Sequence, residues 1–255
     1  MRNIILALCL LFCVSAEAQD KRSFYQIRVY HFNDETQLQK TAKFLEEAWI
    51  PAMHKQGVKQ IGAFTPVGND TASRKKLYLF IPLTSINAIH QLDDALLKDA
   101  EYLAKGENFL NAAYDQPTFT RMETILLRAF PDMPKYEKPS LKGNPAERVY
   151  ELRSYEGATE KLYRKKVEMF NKGGEITLFK RLGFNAVFYA EVLAGSSMPN
   201  LMYMTSFDNI EERNKHWKTF GDDPEWKKLS ALPEYQHTVS KLDIILLHPT
   251  SFSDL

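Results

Sequence analysis

The chain has 255 residues, with 33 lysine and arginine residues against 32 aspartate and glutamate residues, and its formal net charge at pH 7 is +1. Because nucleic-acid binding calls for a basic surface, this balance predicts no nucleic-acid partner. The length suits one large domain or two domains of about 100 residues.

The first 18 residues have the pattern of a secretory signal peptide. Arg2 precedes an apolar stretch at residues 4–14, and Ala16 and Ala18 form a small-residue cleavage site. The stretch is shorter than the ~20 residues of a membrane-spanning helix, and no longer one follows. We therefore expect cleavage after Ala18, a periplasmic or secreted mature protein, and no membrane span in it. Both cysteines lie in this segment, so the mature chain would have no disulfide and no thiolate nucleophile.

An internal repeat organises the rest of the chain. Residues 25–30 (YQIRVY) match residues 150–155 (YELRSY) at an offset of 125, and Leu77-Tyr78 match Met202-Tyr203 at the same offset. Residues 122–127 match residues 242–247 at an offset of 120. The repeat predicts a first domain at residues 19–128, a proline-rich extended linker at 129–147, and a second domain at 148–255.

Each copy has the same predicted order of elements, β-α-β-β-α-β. In the first copy these are strand 24–32, helix 34–56 with a kink or break at Pro51, strands 59–65 and 76–83, helical region 85–113 and strand 118–127. In the second they are strand 148–155, helix 159–182 broken at Gly173-Gly174, strands 185–193 and 200–206, helical stretch 209–229 and strand 239–248. This is the ferredoxin-like order. We therefore predict an α+β fold of two tandem ferredoxin-like domains, with their sheets facing each other in one barrel-like body.

The opening strands carry the candidate ligand-binding residues. Strand alternation places Gln26, Arg28 and Tyr30 on one face of the first copy, and Glu151, Arg153 and Tyr155 on the matching face of the second. We predict that this face lines the barrel interior, where an arginine beside a carboxylate or a phenol could bind an anion. A structural ion pair is the alternative. Further candidates are the matched Tyr78 and Tyr203, with core packing as the alternative. His216 is a candidate for a nearby general base or axial haem ligand, with a solvent-facing or structural histidine as the alternative.

We predict no metal site. The acidic run at residues 222–225 is better explained by helix capping, with Asp223 as the N-cap and Pro224 at the first helical position. The six histidines lack zinc-site spacing. Nucleotide-binding glycine loops and nucleophile elbows are also missing, so we expect no tightly held cofactor.

The second copy resembles the NIPSNAP family. The resemblance rests on residues 150–155 (YELRSY), 217–220 (WKTF), 223–226 (DPEW) and 244–249 (IILLHP), which occur in that order. The first copy has residues 98–102 (KDAEY) where DPEW would stand and is the divergent one. The resemblance implies the dimeric α/β-barrel fold, whose superfamily includes small monooxygenases, haem-processing enzymes and stress-related binding proteins. It also makes a homodimer an option for this chain.

Three functions remain open at this point. The first is binding of a small apolar or aromatic ligand in a barrel cavity. The second is a cofactor-independent oxygenase or isomerase, with an arginine or a histidine placing an anionic intermediate. The third is a structural or protein-interaction module with a packed barrel. A cavity favours the first two, and a packed interior favours the third.

Overall fold

The computed structural model describes residues 22–255. The predicted signal peptide lies outside the described residues. The strands are β1 (Phe24–Phe32), β2 (Gly62–Pro66), β3 (Lys75–Leu83), β4 (Arg121–Ala129), β5 (Val149–Glu156), β6 (Asn185–Ala194), β7 (Asn200–Phe207) and β8 (Lys241–Pro249). The helices are α1 (Glu35–Phe44), α2 (Ile50–Lys55), α3 (Ala88–Leu96), α4 (Ala100–Leu110), α5 (Glu160–Phe170), α6 (Glu175–Arg181), α7 (Ile210–Asp222) and α8 (Pro224–Ser230).

The eight strands close into one barrel in the order β1-β3-β2-β8-β5-β7-β6-β4, and every neighbouring pair is antiparallel. Strands β1–β4 hydrogen-bond in the order β4-β1-β3-β2, and β5–β8 follow the equivalent order, β8-β5-β7-β6. Two seams, β2 with β8 and β4 with β6, join the halves. The fold is therefore a mixed α/β fold around a closed, eight-stranded antiparallel barrel.

Both faces of the barrel wall are buried. Tyr25 and Ile27 of β1 belong to one interior cluster with Tyr150 and Leu152 of β5. The alternate residues face outward against helices, which cover the first half in one cluster and the second half in another. Strand alternation thus separates a lumen face from a helix face, and both are covered except at the starts of β4 and β8, where Met122 and Leu242 are exposed.

Aromatic side chains fill one end of the lumen. The ring of Tyr25 lies 5.2 Å from that of Phe80 and 5.4 Å from that of Phe188, and Tyr136 packs edge-on against Tyr25. Tyr136 comes from the segment between the halves, whose Phe130 is fully buried. The predicted linker is thus packed onto the barrel rather than free, because it carries enough apolar side chains to cover this end.

The predicted helix interruptions occur at Pro51 and at the glycine pair. A π-helical turn, Leu45–Trp49, comes directly before α2. It lies next to Pro51, which has no backbone N–H to donate to the preceding turn. In the other helix, α5 ends at Phe170, and Gly174, with a φ of +88°, is the N-cap from which α6 starts.

The repeat has one register error in the sequence alignment. Val29 pairs with Tyr78, whereas its counterpart Ser154 pairs with Met202. The residue that corresponds to Tyr78 is therefore Met202, and Tyr203 is one position further on. A one-residue shift reverses the face of a strand residue, so the prediction that the two tyrosines share one cavity is wrong.

Candidate functional site

Most of the predicted ligand-binding side chains line three concave regions of the protein. The barrel cavity opens at the lumen end opposite Tyr136 and has a volume of about 610 Å³. The C-terminal crevice lies between the barrel wall and the helices of the second half, around Arg153, with a volume of about 300 Å³. The N-terminal crevice lies in the matching place of the first half, around Arg28, and also measures about 300 Å³.

The barrel cavity has apolar walls with a few polar groups. Its walls include Ile27, Val29, Leu152, Val192, Met202 and Ile245. Ser154 and Asn200 form a polar spot in this wall, where the Asn200 amide donates to Ser154 Oγ at 2.8 Å. Asn200 is 3% exposed, and its Oδ1 atom has no hydrogen-bond partner among the described residues. A buried acceptor without a partner costs free energy, so this oxygen favours a ligand that carries a donor.

Tyr78 is the predicted site residue that lines the barrel cavity. Burial, with smaller effects from the carboxylates of Glu123 and Asp243, raises the pKa of Tyr78 to about 12. The phenol is therefore protonated at neutral pH and can act as a hydrogen-bond donor. It cannot serve as a base there.

The mouth of the barrel cavity carries opposite charges in equal number. Arg74 and Lys76 line it together with Glu123 and Asp243, so these four side chains sum to zero. Glu123 also lies 2.5 Å from His31 Nε2. Such a rim does not select strongly for an anion or a cation.

The C-terminal crevice collects most of the predicted site residues, but on the opposite face from the one we predicted. Arg153 stacks on Trp217 of α7, with its Cζ atom 3.6 Å from the ring centroid, and Tyr155 packs near Phe170 of α5. Glu151, Arg153 and Tyr155 therefore face the helices, and their predicted orientation toward the barrel interior is wrong. Alternation shows which residues share a face. It does not show which face is the lumen when both are buried.

A hydrogen-bonded network fixes these side chains. The Glu151 carboxylate is fully buried and accepts from Arg153 Nε at 2.5 Å, Arg213 Nε at 2.6 Å and Trp217 Nε1 at 2.8 Å. Arg153 Nη1 donates to the Tyr155 hydroxyl at 3.1 Å, which lies 2.8 Å from the Tyr203 hydroxyl. This agrees with the structural ion pair that was the alternative interpretation. A role of these residues in ligand binding stays a prediction.

The sequence analysis missed a second buried pair in this crevice. Lys166 Nζ lies 2.8 Å from Glu175 Oε2, and the two residues are 6% and 1% exposed. A signal existed, because Lys166 shares the buried stripe of α5 with Tyr163 and Phe170 at helical spacing. Burial also raises the pKa of Tyr203 well above its ordinary value, so that this phenol stays protonated. The crevice thus offers hydrogen-bond donors to a bound group, and its two cations, Arg153 and Lys166, are each paired with a glutamate.

The N-terminal crevice holds the other predicted pair, Arg28 and Tyr30. Both line it, together with aromatic side chains of the surrounding helices. The eight candidate residues therefore separate: Arg28 and Tyr30 lie here, Arg153, Tyr155 and Tyr203 line the C-terminal crevice with Glu151 behind them, and Tyr78 lines the barrel cavity. His216 lines none of the three. It packs on Phe184 and Phe207, and its Nδ1 lies 2.7 Å from the Glu212 carbonyl.

The acidic run before α8 caps a helix, as predicted. Asp223 accepts from the backbone N–H groups of Glu225 and Trp226, and Pro224 occupies the first turn. Within residues 22–255, no three His, Cys, Asp or Glu side chains are grouped so that they could hold a metal ion. In the same part of the chain, none of the helices has the length and apolar character needed to cross a membrane.

Comparisons with known proteins agree with this geometry. Three solved structures share the fold over almost the whole chain: a proposed monooxygenase from Lactobacillus acidophilus (11% identity, 89% of this chain and 94% of that one, TM-score 0.58), another from Fusobacterium nucleatum subsp. nucleatum (9%, 89% and 92%, 0.59) and an anthrone oxidase-like protein (11%, 90% and 92%, 0.51). At these identities the similarity shows a common fold and no more.

No curated protein matches the chain. The NIPSNAP family model matches residues 150–254, which include β5 to β8 and the whole C-terminal crevice. The four short motifs in the second half predicted this match. Residues 150–254 of the chain are therefore a NIPSNAP domain.

Proposed function

We propose that the chain is an exported protein that binds a small apolar or aromatic ligand in its barrel cavity. The observation that carries the proposal is the uneven filling of the lumen. Aromatic side chains pack one end, while the other end retains a cavity of about 610 Å³. Small-molecule pockets measure roughly 300–1,000 Å³ and combine apolar walls with a few polar groups. In a packed structural barrel, the third alternative, side chains would fill both ends of the lumen.

The lining indicates the chemistry of the ligand. Apolar walls favour an apolar body, and the balanced charges at the mouth favour a molecule without a large net charge. The free Oδ1 atom of Asn200 favours a hydroxyl or an N–H group on the ligand. The proposed ligand is therefore a neutral, mainly apolar molecule with one hydrogen-bond donor.

The neutral fluorescent probe N-phenyl-1-naphthylamine tests this proposal. We expect saturable binding of one probe molecule per chain in the wild-type protein. Met202→Trp places a large ring in the cavity wall and should weaken binding at least tenfold, with Val192→Phe as a second filling variant. Native mass spectrometry of protein purified from its host would identify a retained natural ligand.

A matched control exists on the surface. Met198 is 48% exposed and does not line the cavity, so Met198→Trp should bind the probe like the wild type. Circular dichroism checks that each variant is folded. Unchanged binding by folded Met202→Trp and Val192→Phe variants would contradict the proposal.

We further propose that the halves are tandem ferredoxin-like units and that residues 1–18 are removed on export. The shared strand order and the repeated YQIRVY and YELRSY segments support the first statement. The signal-peptide pattern supports the second. The intact mass of secreted protein tests the cleavage, and a chain that still carries Met1 to Ala18 would refute it.

Cofactor-independent oxygenase chemistry in the C-terminal crevice is the second candidate. The supporting observation is the cluster of Arg153, Lys166 and two hydrogen-bonded phenols, Tyr155 and Tyr203, around one opening. Such donors can stabilise an anionic intermediate. Because one structure of this fold is that of an anthrone oxidase-like protein, anthrone is the first substrate to try.

Oxygen uptake in the presence of anthrone tests this candidate. If the crevice is catalytic, Tyr155→Phe should lower the rate at least tenfold, because it removes the hydroxyl that joins Arg153 to Tyr203. Tyr114→Phe is the control, since Tyr114 is 98% exposed and lies in none of the three concave regions. Equal rates in both variants would place any oxidation elsewhere.

A further inference from the structure

Arg28, in the N-terminal crevice, is a half-buried cation without an ion-pair partner among the described residues. Its Nε atom is buried and has no hydrogen-bond partner among the described residues. Ion pairs link many arginines of residues 22–255 to carboxylates, but none of these pairs includes Arg28. The side chain as a whole is half-buried, and a buried N–H donor without an acceptor is unfavourable, so the free protein carries a cost at Nε.

The second half shows which partners Arg28 lacks. Arg153, at the corresponding position, pairs with Glu151 two residues earlier and lies opposite Tyr203 in the sheet. Gln26 and Leu79 occupy these two places around Arg28. Gln26 Nε2 donates to Thr124 Oγ1 at 3.3 Å instead. The first half has therefore kept the arginine without the groups that neutralise it.

Aromatic rings surround this charge. The Cζ atom of Arg28 lies 5.3 Å from the ring centroid of Trp49, and Tyr30, Tyr102, Phe109 and Phe119 line the same crevice. Asp93 is also part of the lining, but its side chain is exposed and water screens its charge. The crevice thus combines one half-buried guanidinium group, whose Nε–H has no acceptor, with apolar walls.

We propose that the N-terminal crevice binds a small aromatic carboxylate, whose carboxylate group pairs with Arg28 while its ring packs among the aromatic side chains. The planar guanidinium group matches a carboxylate in geometry and charge. A volume of about 300 Å³ is enough for a ligand of one or two fused rings. This site is separate from the barrel cavity, because its lining lies on the other face of β1.

Isothermal titration calorimetry with 1-naphthoate tests this site, with the uncharged 1-naphthamide as the matched ligand. We expect 1-naphthoate to bind at least tenfold more tightly than the amide. Arg28→Met should remove this preference. Because no carboxylate is left unpaired when Arg28 is replaced, the variant should also keep its melting temperature.

The sharper variant is Gln26→Glu, which copies the Glu151–Arg153 arrangement. The new carboxylate should pair with Arg28 and reduce 1-naphthoate binding at least tenfold, while every crevice wall stays in place. Met202→Trp, which fills the barrel cavity, should leave 1-naphthoate binding unchanged. Equal affinity for acid and amide, or full binding by a folded Arg28→Met variant, would overturn the proposal.

Discussion

At the scale of single residues, the charged and phenolic groups that matter are buried, and their surroundings set their chemistry. The Glu151 carboxylate accepts hydrogen bonds from three donors, the Nε–H of Arg28 has no acceptor, and Tyr78 keeps its proton in an apolar cavity. The same residue type thus has opposite consequences in the two halves. An arginine at the same strand position is a structural partner in one half and a free cation in the other.

Tyr78 gives a prediction about stability at high pH. Its pKa is about 12 in the folded protein, against about 10 in an unfolded chain. The stabilisation that the protonated Tyr78 phenol contributes to the folded state is therefore fully present below pH 10 and is lost as the pH rises toward 12. Between pH 9 and pH 11, Tyr78→Phe should lose roughly 1 kcal/mol less of its free energy of unfolding than the wild type. Urea unfolding at both pH values measures this difference, and Tyr114→Phe should behave like the wild type.

Glu151 gives a prediction about the network in the C-terminal crevice. Glu151→Ala leaves two arginines and an indole N–H without their acceptor, so the free energy of unfolding should fall by about 3–5 kcal/mol. Asp222→Ala is the control, because it removes only an exposed pair with Lys218 and should leave the melting temperature unchanged. A loss below about 1 kcal/mol in Glu151→Ala would mean that the network contributes little.

The sequence predicted which of these residues belong together but not where they lie. Arg28, Tyr30, Arg153 and Tyr155 do flank equivalent crevices, because strand alternation fixes residues that share a face. Their side of the wall was not predictable, since helices bury one face and the lumen buries the other. The sequence did not predict Asn200 as a site residue for another reason. A single asparagine indicates a binding site only when its side chain is known to be buried and to lack a hydrogen-bond partner.

At the scale of elements, the strands were predictable and the pairing details were not. The predicted strand 24–32 coincides with β1, and the break at the glycine pair separates α5 from α6. The match of Tyr78 with Tyr203 failed because a sequence alignment has no access to the strand register. The chain from Val29 to Tyr78 is one residue longer than that from Ser154 to Met202, and this net difference is enough to shift the match.

Two glycines test the role of backbone conformation at the element scale. Gly174 has a φ of +88° and open space where a Cβ would stand, so Gly174→Ala meets no clash but is strained. We expect a loss of about 1–2 kcal/mol in the free energy of unfolding. Gly221 in α7 also has open space but no positive φ, so Gly221→Ala should gain about 0.5 kcal/mol. Equal effects of the two substitutions would contradict this explanation.

At the scale of the whole molecule, a single chain supplies both halves of the barrel. The seams β2–β8 and β4–β6 are both intramolecular. A barrel made from two chains would gain stability with protein concentration, by mass action. We expect the melting temperature of this chain to stay constant over a hundredfold range of concentration. A steady rise would show that a second chain contributes to the folded state, as in the homodimer that the family resemblance allows.

The β2–β8 seam also has a consequence for how the molecule assembles. It pairs residues 64–66 with residues 247–249, so the two partners are separated by most of the chain. Contacts of such long sequence separation form slowly, because the chain pays a large entropy cost before they stabilise anything. Until β8 arrives, β2 presents an unpaired strand edge. At high concentration during refolding, the β8 strand of another molecule would fill that edge, and the product would be a domain-swapped dimer.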